Sequence, residues 1–487
     1  MSENKYKDLL QNPVFQHFNR ISQIPRCSGQ EEKIADYLES LAKKHSLTWQ
    51  RDLENNLIIK RKTSSDQTVI LQSHVDMVCI KNDSSSHNFQ QEPIQLTIDQ
   101  DRLTAINTTL GADNGIGVAY MLTLLTDPEY EGPNLECIFT TNEEEGMSGA
   151  VNIDLSELNG NMMINLDSED AGTIITSCAG GVQVNYELDL EYKRKEGLVY
   201  ELEISGLLGG HSGLDINKNR GNALILMGRS LNYLLEKGVD FRIIEISGGE
   251  KHNSIPVKAR SAILVSSRIE GKKAGEAIPI IEEVFQREAA DSDPGIQISC
   301  KLSGDGDYMV YSKASTMKTV GLLTLIPNGV IEYTNQNTAE VQTSLNLALL
   351  KKNDHKLTII SSLRSNNDTS LEKLIARCQL LKRAFNVAMT TESYYNPWPH
   401  KADSILRNLA ARVYQETFKE EVKIKSIHAG LECGLFLAKK NSLDIISIGP
   451  QTYNIHTPDE SVSISSVNDT FNYLKNILKA IDKEASK

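Results

Sequence analysis

Histidine and carboxylate side chains gather in this sequence where apolar runs end. Val69-Ile70-Leu71-Gln72 leads into Ser73-His74-Val75-Asp76, Leu135 to Thr141 leads into Asn142-Glu143-Glu144-Glu145-Gly146, and Met162 to Leu166 leads into Asp167-Ser168-Glu169-Asp170. Asp113 sits in Leu110-Gly111-Ala112-Asp113-Asn114-Gly115, directly ahead of an apolar stretch, and His456 follows Ile448-Gly449-Pro450 within His456-Thr457-Pro458-Asp459-Glu460. Side chains two apart on an extended strand face the same way. Asp76 can therefore accept the free N–H of His74, as carboxylates do behind metal-bound imidazoles. Adjacent glutamates repel one another unless a cation or solvent compensates. Imidazole and carboxylate donors without thiolate suit Zn²⁺, and also Mn²⁺ or Co²⁺. Two histidines with three or more carboxylates exceed the needs of one tetrahedral ion and fit two ions sharing a carboxylate, roughly 3.5–4 Å apart.

Taken singly, each segment has a plainer reading: a surface histidine beside an aspartate, a solvated acidic loop, a lone structural or surface histidine. The glycines around Asp113 permit close backbone approach. They do not make a nucleotide site, because the lysine of a phosphate-binding loop and a preceding Rossmann strand are both missing.

The elements that must position these groups follow from periodicity. Asn12-Pro13 reads as a cap and first helical position, with Val14, Phe15, Phe18 and Ile21 on one face, and Glu31 to Leu47 repeats the pattern. The runs at 69–71, 135–141 and 162–166 read as buried strands, with a helix at Ile116 to Leu125. Such alternation implies an α/β sheet covered on both faces, whose sites form at the carboxyl ends of the strands. The middle differs: Val182 to Tyr192 and Tyr200 to Ser205 alternate as half-buried strands do, with helices at Ala223 to Leu235 and Ala274 to Phe285. After Pro397-Trp398-Pro399 the α/β pattern resumes, with a helix at Ser404 to Phe418 and a strand at Asp444 to Ile448. The expected organisation is one α/β domain, 1–184 and 399–487, split by an inserted α+β domain, 185–398.

With 51 basic and 64 acidic residues the formal charge is −13, which argues against nucleic acid or an anionic membrane as partner, since phosphate binding needs basic surface. The opening residues lack the apolar run of a secretory signal. Nowhere do about 18 apolar residues follow one another as a membrane helix requires. The seven cysteines are scattered, without a Cys-x-x-Cys pair, and are expected as free thiols in a reducing cytoplasm.

Together these motifs resemble the co-catalytic zinc peptidase family that includes carnosinases, aminoacylases and glutamate carboxypeptidases, and within it the aminoacyl-histidine dipeptidases. The resemblance runs from Ile24-Pro25-Arg26 through the segments around His74, Asp113, Glu143 and Asp167. It continues through Gly209-Gly210-His211-Ser212-Gly213, Pro327-Asn328-Gly329-Val330 and His428-Ala429-Gly430-Leu431-Glu432, closing at His456-Thr457-Pro458-Asp459-Glu460. It implies a mixed sheet flanked by helices, interrupted by a lid domain that carries substrate and dimer contacts. It implies two divalent ions, zinc foremost, with Asp113 bridging them, His74 and Asp167 on one, Glu144 and His456 on the other. Asp76 would orient His74 and Glu143 would be the general base. His211 would stabilise the oxyanion, Asn253 would touch substrate and Arg364 would grip the peptide carboxylate. Asn142 and Glu145 depart from the family pattern, and Gly146 sets the register preferred here.

The implied activity is hydrolysis of unblocked dipeptides, Xaa-His and β-alanyl-histidine among them, by a cytoplasmic homodimer. Its rivals are a deacylase or carboxypeptidase of the same family and a metal-binding protein without catalysis.

Overall fold

The computed structural model describes residues 2–335 and 340–485, which form two compact units. The first comprises Met1–Cys178, Trp398–Ser426 and Leu431–Lys487; the second comprises Ala179–Pro397 and Ile427–Gly430. The change of unit thus falls at Cys178, ahead of the expected 184, and Ile427–Gly430, within the expected 399–487 segment, belongs to the second unit.

In the first unit an eight-stranded mixed sheet runs in the order 48–51, 57–61, 134–140, 68–74, 162–165, 444–447, 173–178, 423–427. Its centre is parallel: Thr68–His74 pairs with Asn134–Thr140 on one side and Met162–Asn165 on the other. These three strands are buried almost throughout, as expected of a sheet covered on both faces. The cover includes Pro13–Ser22, Glu32–Lys44, Ala112–Thr126, Ile405–Phe418 and Ile464–Ala485, which contribute to one apolar core. Asn12 caps the first of these through its side-chain oxygen, 2.9 Å from the Val14 amide, and Pro13 opens it without losing a helical hydrogen bond. A small four-stranded sheet, 452–453, 461–463, 102–105 and 96–99, carries His456 in the turn between its first two strands.

Among the described residues the second unit holds three antiparallel sheets, one of five strands including Gly180–Asp189 and Lys356–Ser365, one of four including Tyr192–Ser205 and Gln297–Tyr311, and a two-stranded ladder of Gly210–His211 with Ser254–Ile255. The two larger sheets pack with the helices Ala223–Glu236, Arg268–Glu288, Lys313–Leu325 and Asp368–Phe385 on a separate core. Strand 192–205 starts well before the expected Tyr200. It pairs along its whole length with 297–311, from Tyr192 against Tyr311 onwards, and a ribbon exposed on both faces tolerates Lys193-Arg194-Lys195-Glu196, where alternation vanishes. Helix Lys313–Leu325 is not announced by the sequence pattern. Threonines share its buried side with Val320, Leu322 and Leu323, which blurs the apolar stripe.

The cysteine expectation needs correction. Cys27 and Cys79 form a disulfide across a sequence separation of 52, and the other five are free. A backbone bridge between Cys27 and Met77 brings the two segments together, a proximity that linear spacing does not reveal. Closing a loop of this length is worth about 4 kcal/mol of unfolding free energy in the chain-entropy account. Cys27→Ser is therefore expected to lower stability by about that amount in denaturant titrations. A thiol assay on unreduced, denatured native protein should find the five free cysteines; seven would refute the pairing. Among the described residues no helix is long and apolar enough to cross a membrane.

Candidate active site

The carboxyl ends of the three central parallel strands deliver His74, the Glu143–Glu144 loop and Asp167 to one place. Asp113 arrives from another direction. Gly111, at φ 70°, caps the Ala112–Thr126 helix, and the backbone at Asp113 and Asn114 leaves helical geometry, with a cis peptide between them. A side chain at Gly111 would strike the Arg26 guanidinium and Met77, so glycine is required by space as well as by φ.

Asp113 divides its two oxygens. Oδ1 lies 3.2 Å from His74 Nε2, which is also 3.4 Å from Asp167 Oδ1. Oδ2 lies 3.2 Å from His456 Nε2, which is 3.0 Å from Glu144 Oε1. Two donor clusters, His74–Asp113–Asp167 and Asp113–Glu144–His456, therefore share one carboxylate. On its far side His74 Nδ1 is 3.3 Å from Asp76 Oδ1, which places the imidazole proton on Nδ1 and turns Nε2 towards the cluster.

Asp76 does more than orient His74. It is fully buried and accepts the backbone amides of Glu143 and Glu144 at 3.1 and 3.2 Å and the Ser28 hydroxyl at 2.8 Å. The acidic loop is thereby registered so that Glu143 and Glu144 join the donor groups, whereas Glu145 is exposed.

The charge balance fits cations. Burial opposes charge on His74, yet Asp167, Asp113 and Asp76 raise its pKa well above the usual imidazole value. His456 is likewise raised, against burial, by Asp113 and Glu144. Burial and then Asp113 push Glu144 up to about 7, while burial, Asp167, Glu144 and Glu432 raise Glu143 well above the carboxylate range. Five acidic side chains around two imidazoles leave a surplus of negative charge, and the nitrogen and oxygen donors are those of a divalent metal site.

Two residues that hold this arrangement escaped the sequence reading as functional groups. Glu460 is buried and accepts the amides of Leu110, Gly111, Ala112 and Asp113 at 2.8, 2.9, 2.8 and 3.3 Å, fixing the Asp113 turn. Arg26, also buried, donates to the carbonyls of Val75, Asp76 and Gly111, tying the Asp76 and Asp113 loops together. Both lie inside quoted motifs, but only their remote partners reveal what they do.

The remaining expected residues lie in the second unit. His211 pairs with Ser254 in a two-stranded ladder, and its Nδ1 accepts the amides of Gly213 and Leu214 at 3.2 and 3.1 Å. Nε2 therefore carries the proton and is a donor. The Asn253 carbonyl accepts the Ser212 amide at 2.8 Å. Next to it, the His252 carbonyl accepts the hydroxyl of Ser362 at 2.7 Å, two residues before Arg364, whose guanidinium donates to Tyr395 at 2.8 Å. His428 belongs to the same neighbourhood: burial, then Arg364, lowers its pKa to about 3. Its Nε2 lies 2.7 Å from the Ser344 hydroxyl.

Residues 70–480 match the model of peptidase family M20/M25/M40. The chain is 33% identical over 486 residues to the cytosol non-specific dipeptidase of Escherichia coli strain K12, covering 98% of this chain and 99% of that protein. Among solved structures it is similar to aminoacylhistidine dipeptidase from Vibrio alginolyticus, with TM-score 0.86, 32% identity and 96% of each chain covered. A tripeptidase from Staphylococcus aureus, at 13% identity and TM-score 0.57 over 97% of this chain and 98% of that one, shares the fold. The chain belongs to peptidase family M20/M25/M40, a family of metal-dependent peptide-bond hydrolases.

Proposed function

We propose that this protein is a cytoplasmic dipeptidase that hydrolyses unblocked dipeptides, Xaa-His and β-alanyl-histidine among them, with two divalent ions, zinc foremost and manganese or cobalt as substitutes. The observation that carries the reading is the division of Asp113 between two donor clusters. It is supported by 33% identity over nearly the full length to a protein named as a dipeptidase. His74 and Asp167 would hold one ion, Glu144 and His456 the other, and Asp113 both. When bound, the ions would supply Lewis-acid polarisation and a water of lowered pKa.

The chain's own residues do the rest. Asp76 keeps the His74 tautomer and the register of the acidic loop. Glu143, left over as a ligand, takes the proton of the attacking water and passes it to the departing amine. His211, a donor at Nε2, serves the oxyanion, Asn253 contacts substrate, and Arg364 pairs with the peptide carboxylate, for which a guanidinium is shaped. The second unit would also carry the contacts of a homodimer.

Arg364→Ala is expected to raise KM for dipeptides by about 10- to 100-fold with little change in kcat, the worth of hydrogen bonds to a charged group. A dipeptide amide, lacking that carboxylate, should be handled equally by native and variant protein, and a kcat loss at unchanged KM would reassign Arg364. The function itself is tested on Ala-His, Leu-Gly, β-Ala-His, a tripeptide and N-acetyl-leucine at equal concentration. Turnover confined to dipeptides is expected. Cleavage of the acetylated substrate alone would make the protein a deacylase.

A further inference from the structure

Glu432, within His428-Ala429-Gly430-Leu431-Glu432, takes no part in the chemistry above, yet it is wholly inaccessible to solvent. Its Oε2 accepts Gln72 Nε2 at 2.5 Å and the Thr140 hydroxyl at 2.8 Å, while Oε1, also buried, has no hydrogen-bond partner among the described residues. Gln72 Nε2 also reaches Thr140 Oγ1 at 3.0 Å, and its Oε1 accepts Asn165 Nδ2 at 2.6 Å. These four side chains form a buried polar layer across the carboxyl ends of strands 68–74, 134–140 and 162–165. Gln72 precedes His74 by two residues and so shares its face, Asn165 precedes Asp167 by two, and Thr140 stands opposite His74 in the sheet.

A buried carboxylate with an unsatisfied oxygen is costly, and apolar packing or a neutral amide would close the layer at lower cost. We infer that Glu432 is a positioning residue of the metal centre, a negative charge held beneath it by Gln72 and Thr140 that strengthens the grip of the ligand set on divalent cations. This rests on the two-ion reading above. Burial pushes the Glu432 carboxyl up to about 8, with His74 and the Thr140 bond opposing and Asp167 and Asp76 adding to the rise. Nearby divalent charge favours the ionised form. Partners behind metal ligands commonly contribute 10- to 100-fold in affinity.

The test is Zn²⁺ affinity of chelator-treated protein, measured by competition with a chromogenic chelator, together with its thermal midpoint before loading. Glu432→Gln is nearly isosteric, and its amide oxygen can still accept from Gln72 and Thr140. It is expected to bind Zn²⁺ about 10- to 100-fold more weakly than native protein, with an unloaded midpoint no lower than native. Thr140→Val, which leaves the carboxyl but removes a donor that supports its charge, should weaken Zn²⁺ by a smaller factor; it decides the matter alone if the glutamine variant does not fold. Native Zn²⁺ affinity in whichever variant folds overturns the inference, as does a lowered unloaded midpoint with unchanged affinity, the sign of a purely structural role. Native protein that binds no divalent ion would overturn the two-ion reading itself, which separates the two failures.

Discussion

Replacing Glu143 by glutamine is expected to lower kcat by about 10²- to 10⁴-fold, the usual contribution of a positioned acid–base group, while both ions stay bound. Two observations set this expectation. The amides of Glu143 and Glu144 are fixed by the two oxygens of Asp76, so the change should not displace the loop. Glu143 belongs to a third donor group, with His74 and Glu144, but to neither of the two that share Asp113, and with those two filled its carboxylate is left for proton transfer. Its surroundings raise its proton affinity, through burial first and then Asp167, Glu144 and Glu432. A group that must accept a proton and later release it is served by such a shift, which bound cations would moderate. Metal analysis alongside steady-state kinetics checks the result. Loss of metal in the glutamine variant would make Glu143 a ligand and leave the protein without an assigned base.

Asp113→Asn is expected to have the larger effect and a different signature. The side chain keeps its shape, but one oxygen becomes an amide nitrogen and the charge is lost. Each carboxylate oxygen faces a separate histidine, at 3.2 Å in both cases, so no single-site compensation is open. Metal content should fall below one ion per chain, and kcat/KM should fall by at least about a thousandfold, the rate equivalent of several kcal/mol of Lewis-acid stabilisation. Retention of both ions with full activity would show that Asp113 does not bridge.

Much of this site was legible because strand ends are marked in sequence. The short, mostly apolar runs before His74, Glu143 and Asp167 read as covered strands, and acids directly after parallel strands emerge at the same edge of the sheet. The expected α/β frame with an inserted α+β segment follows from the same patterning. Illegible were the groups whose meaning lies in a distant partner. Glu460 holds the amide of Gly111 from 349 residues away, and Glu432 accepts from Gln72 across 360. Neither has a periodicity or a local spacing to announce it. Arg26 reads as an ordinary surface arginine until its three carbonyl partners are seen. The Cys27–Cys79 pair is hidden for the same reason: no close spacing marks it, and it is made by two loops meeting beside Asp76.

Catalysis by residues arranged around two ions is tested most directly by removing metal with a chelator and titrating Zn²⁺ back while following Ala-His hydrolysis. The stripped protein is expected to show no turnover, with recovery complete only as the second equivalent per chain is bound. Turnover that survives chelation with no metal detectable, or that is full at one equivalent with no second ion taken up, would contradict the two-ion reading.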